Sequence, residues 1–81
     1  MKILNINELA WQLRAGVFTL NNGHVELYEP MTQTTDKKGV EIIISRGQRI
    51  NEIIDQSGLN PSNLQEVIDY FNKLENQNND N

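Results

Sequence analysis

The residues of this 81-residue chain best suited to chemistry are one histidine, a few serines and several paired carboxylates. Their spacing does not favour catalysis. His24 is the single histidine and stands beside Asn22-Gly23. A catalytic triad needs a partnered imidazole, and a zinc site needs three or four protein ligands. The chain has no cysteine, which excludes disulfides and thiolate metal sites. Ser45, Ser57 and Ser62 fall at the edges of expected helices, where capping and turn formation account for them. Glu26 with Glu29, and Glu66 with Asp69, lack the apolar surroundings that make a carboxylic acid a proton donor at neutral pH. Arg46-Gly47 and Gln56-Ser57-Gly58 have neither the spacing nor the lysine of a phosphate loop. The residues therefore predict no enzyme, no cofactor and no metal.

Binding chemistry is better represented. Ile6, Leu9, Ala10 and Leu13 follow the i, i+3, i+4, i+7 spacing of one helix face. Trp11 lies roughly 140° away from Ile6 on that helix, off the stripe. An exposed tryptophan is a frequent anchor of protein interfaces. Tyr28 and Val17 are expected on the outer face of a hairpin, and with Trp11 they would form an apolar patch suited to a partner protein. The strand from Val17 to Leu20 also reads as an open sheet edge, which favours a homodimer by strand pairing.

The elements that position these residues begin with the N-terminal helix, capped by Asn5 or Asn7 and closed by Gly16. Asn22-Gly23 suits a two-residue hairpin turn, which sets Leu20 opposite Val25 and Phe18 opposite Leu27. Met31 to Thr35 can extend the second strand, and 36–39 reads as a turn. The β-branched run Val40 to Ile44 predicts a third strand. Two helices follow. The first spans about 47–56, with Ile50, Ile53 and Ile54 on one face; the second starts from Asn60 as cap and Pro61 at the first position. The expected fold is α+β: an N-terminal helix, a three-stranded antiparallel sheet and a C-terminal helix pair. Residues 1–75 form one compact domain, and the Asn-rich 76–81 a disordered tail.

Within that pair, Ile53, Ile54, Gly58, Leu59, Leu64 and Val67 occupy the places of the apolar anchors and turn glycine of a helix-turn-helix, which residues 49–67 resemble. The resemblance implies a second helix that presents Ser62, Asn63 and Gln65 to DNA. Separately, Lys37 and Lys38 with Arg46 and Arg49 can form a small basic patch that would serve the same DNA-binding alternative. Charge opposes it. From Arg46 to Glu75 there are five acids and three bases, whereas DNA binding draws much of its affinity from neutralised phosphates. The element order in a small acidic chain is also similar to some phage-encoded inhibitors, certain anti-CRISPR proteins among them.

Eleven acids against seven bases give a net charge of −4, and only 37% of residues are hydrophobic. A chain of this size buries about 60% of its unfolded surface, too little for a core and a deep cleft together. No segment approaches a membrane span, and Met1-Lys2-Ile3-Leu4 is too short for a signal peptide, so a cytoplasmic location is expected. The leading expectation is a small regulatory or inhibitory protein, of phage or mobile-element type, that binds another protein. The alternative is a small DNA-binding transcriptional regulator.

Overall fold

The computed structural model describes residues 6–78. Helix α1 (Ile6–Arg14) leads into a hairpin of β1 (Phe18–Asn21) and β2 (His24–Leu27). A short 3₁₀ helix (Glu29–Gln33) then connects to α2 (Lys37–Ser57), and α3 (Leu64–Asn78) completes the described chain. Asn5 and residues 79–81 lie outside the described residues, and Asn76 and Gln77 belong to the last turns of α3.

The hairpin has the register its turn requires. Phe18 pairs with Leu27, Thr19 with Glu26, Leu20 with Val25 and Asn21 with His24. Asn22 and Gly23 take φ of 54° and 83°, the left-handed geometry of a type I′ turn. The ladder extends one pair further, where the Tyr28 amide donates to the Val17 carbonyl at 2.8 Å.

The three-stranded sheet is not formed. The antiparallel sheet has two strands, and Val40 to Ile44 lies inside the 21-residue helix α2, giving a helix-rich α+β fold. Two local causes override the β-branched preference of that run. Asp36 caps the helix, its carboxylate accepting from the Gly39 amide at 2.8 Å, so the expected turn at 36–39 is a helix start. The buried positions Ile43, Gly47, Ile50 and Ile54 then fall on one continuous helical stripe that crosses the expected boundary.

The place beside β2 where a third strand would pair is also taken. Asn51 on α2 turns its side-chain amide to the strand edge. Its Oδ1 accepts from the Val25 N–H at 2.8 Å and its Nδ2 donates to the Val25 C=O at 3.0 Å. One side chain thus satisfies both outward backbone groups of a strand residue. The extension of β2 through Met31 is likewise replaced, by the 3₁₀ helix with Pro30 in its first turn.

The C-terminal pair departs from the helix-turn-helix pattern as well. Residues 58–63 separate the two helices, longer than the tight turn of that motif. α3 packs chiefly along α1. Its start is Leu64, not Pro61, because Asn63 provides the cap: its Oδ1 accepts from the Glu66 amide at 3.1 Å. One core joins Leu9 and Leu13 of α1, Phe18 and Val25 of the hairpin, Ile50 and Ile54 of α2, and Val67 and Phe71 of α3. At its rim Arg14 donates to Asn72 Oδ1 at 2.6 Å and pairs with Glu75 at 3.1 Å, tying α1 to α3.

Candidate functional site

Helix α1 turns Leu9, Ala10, Gln12 and Leu13 inward. That choice leaves Trp11 outside, with 60% of its surface exposed. A tryptophan ring in water forgoes the favourable burial of a large apolar area. The side chain beside it is Arg46 of α2, which leans across the gap between the two helices. Its Nη1 donates to Gln12 Oε1 at 2.5 Å, and its Nη2 stands 3.7 Å from Glu8 Oε1. Gln12 is only 5% exposed, so this amide is buried to receive the arginine. The Arg46 Nε is also buried and has no acceptor among the described residues. A buried donor without a partner costs about 1–3 kcal/mol, so the guanidinium is held but incompletely satisfied.

Arg46 divides two shallow hollows. The first, about 280 Å³, is lined by Asn7, Glu8, Trp11 and Arg46. The second, about 460 Å³, is lined by Lys38, Glu41, Ile42, Ser45 and Arg46. Ile42 is 45% exposed and Ile44, on the opposite flank of α2, 43%. In a strand these two would share one face; the helix sends them to different sides and leaves only Ile43 between them buried. The apolar surface of this region therefore follows from the same helix that replaced the third strand.

Of the residues expected at a protein interface, Trp11 and Tyr28 are exposed, but Val17 is only 6% exposed and belongs to the core with Leu13 and Phe71. Val17 is thus a core residue and adds nothing to a surface patch. The residues expected to read DNA are engaged locally. Ser62 donates its N–H to Glu66 Oε1 at 2.8 Å, Asn63 caps α3, and Gln65 donates to Asp69 at 2.9 Å. Arg46, Arg49, Lys37 and Lys38 all lie on α2, not on the helix that the motif would place in the groove. Arg49 pairs with Glu52 at 3.0 Å, while Lys37 and Lys38 enter no ion pair among the described residues. Sequence reasoning missed Ile42, which reads as a buried strand residue, and Gln12, whose burial depends on an arginine 34 positions away.

His24 has a partner that spacing alone did not indicate. Its Nε2 is 2.8 Å from Asp55 Oδ1, and both side chains are well exposed. Among the described residues no group of three or more His, Asp or Glu side chains is placed to hold a metal ion. No helix among them is long and apolar enough to cross a membrane. The arrangement places an exposed aromatic ring, an arginine whose Nε has no acceptor among the described residues, and two hollows along one side of the molecule's α1–α2 junction. Comparison of the chain with protein-family models, curated proteins and solved structures finds no match.

Proposed function

We propose that this is a non-catalytic regulatory or inhibitory protein that acts by binding another protein at the hollow beside Trp11. The observation that carries the reading is the exposed indole of Trp11 next to Arg46, on a helix whose inward face is complete without it. Tryptophan and arginine are the residue types most enriched among those that dominate interface energy. A partner that covers the ring gains apolar burial, and one that offers a carboxylate meets the cationic Arg46 side chain lining the same hollow.

Affinity capture from lysate of the cells that produce the protein tests this. The native chain and Asp69→Ala, altered on the exposed side of α3, are expected to retain the same partner. Trp11→Ala is expected to lose it while melting near the native temperature. Undiminished capture by folded Trp11→Ala would place the binding surface elsewhere.

A further inference from the structure

The side of α2 facing away from the core carries Lys38, Glu41, Ile42, Ser45, Arg49 and Glu52 along the helix. All but Arg49, which is half-buried, are exposed. Their order is symmetrical about Ser45. Lys38 and Glu52 stand seven residues to either side of it, and Glu41 and Arg49 stand four residues to either side. Each symmetric pair joins opposite charges. At 100° per residue these positions fall on one face, opposite the buried stripe of Ile43, Gly47, Ile50 and Ile54.

From this pattern we infer that α2 pairs antiparallel with α2 of a second copy of this chain, about a two-fold axis at Ser45. The two-fold axis places Lys38 opposite Glu52 of the other copy and Glu41 opposite Arg49, with each contact made twice, so that the Arg49–Glu52 pair within each chain gains a second partner at both of its ends. Serine at the crossing lets the helices approach to the 8–10 Å of ordinary helix packing. The two copies of Ile42 flank the axis and lose their exposure. The second hollow, lined by Lys38, Glu41, Ile42 and Ser45, lies on this same face. A second copy suits the surface better than an unrelated partner because the charges are complementary to themselves. The face carries two bases and two acids and is therefore neutral, in a chain whose net charge is −4. Within one chain, Lys38 and Glu52 are about 21 Å apart along the helix and cannot pair. The inference does not depend on the Trp11 reading, since the two hollows share only Arg46, which is not among the paired residues.

Sedimentation equilibrium of the full chain provides the test. At low salt the mass is expected to rise from 9.3 kDa towards twice that value as concentration approaches about 1 mM. In 1 M salt, where charges are screened beyond about 3 Å, it returns to the monomer value. Lys38→Glu and Glu52→Lys each weaken the dimer about tenfold, and the double exchange restores it to within about threefold. Lys38→Glu puts an acid in the first turn of α2, which favours the helix, so its effect is not lost folding. Ser45→Glu, with two acids at the axis, gives a monomer at every concentration and supplies a second check. A native chain that stays at 9.3 kDa under all these conditions overturns the inference. So does a dimer indifferent to both charge reversals and to Ser45→Glu, because it must form through another surface.

Discussion

The two halves of α2 share a helix and little else. From Gly47 to Ser57 the helix is clasped: Phe18 rests on Gly47, Ile50 and Ile54 enter the core, Asn51 holds Val25, and Asp55 meets His24. A β-carbon at Gly47 would lie 2.9 Å from Phe18 Cε1, so the hairpin approaches as closely as the backbone permits. From Lys37 to Arg46 the helix is sparsely covered. Only Ile43 is buried there, two isoleucines face water, and two lysines occupy a helix start where positive charge opposes the dipole. Gly39 and the β-branched residues Val40, Ile42, Ile43 and Ile44 also have weak helix propensity. The difference separates two duties. The clasped half supplies most of the helix's core, and the open half, with Trp11 across from it, leaves its large apolar side chains at the surface.

Substitutions along α2 break or sharpen this contrast. Ile50→Ala, in the clasped half, is expected to cost about 2–5 kcal/mol in urea unfolding, a large share of the stability of a domain this small. Asn51→Leu strands the N–H and C=O of Val25 and costs about 2–3 kcal/mol by the same measurement. Asn51→Asp, which retains the acceptor for the Val25 N–H, is expected to cost less. In the open half the effects shrink and change sign. Lys37→Glu places an acid beside the Asp36 cap and is expected to raise the melting temperature slightly, by at most about 1 kcal/mol of stability. Ile42→Gln is expected to fall within about 0.5 kcal/mol of the native chain, as exposed substitutions do. A cost above about 2 kcal/mol for Ile42→Gln would put that residue in the core and erase the contrast.

The clasped and open regions also differ in how far they can be read from sequence. The hairpin is legible because Asn22-Gly23 and the alternation of Phe18, Leu20, Val25 and Leu27 agree on one register. Trp11 is legible because the stripe on α1 is complete without it. The N-terminal half of α2 misleads for a physical reason. Val40 to Ile44 has the local signature of a strand, and the signals for a helix are distributed: a cap at Asp36, and a core stripe whose members Ile43 and Gly47 straddle the expected boundary. The decisive contact, Asn51 on the edge of β2, spans 26 positions and leaves no local trace. Strand alternation places Val17 outside, but tertiary packing buries it at the base of the hairpin. The site is legible only in its aromatic half: Arg46 reads as one of several cations, and its engagement with Gln12 and Glu8 is a property of the fold.

Hydrogen exchange of the α2 backbone amides, measured on dilute protein at high salt to keep the chain monomeric, tests the division most directly. Amides from Ile50 to Ile54 should exchange only through global opening, with protection close to the full stability of the domain. Those from Glu41 to Ser45 should exchange at least about tenfold faster, through opening of the first turns alone. Equal protection along the whole helix would contradict the account, because it would make α2 one scaffold with no open half.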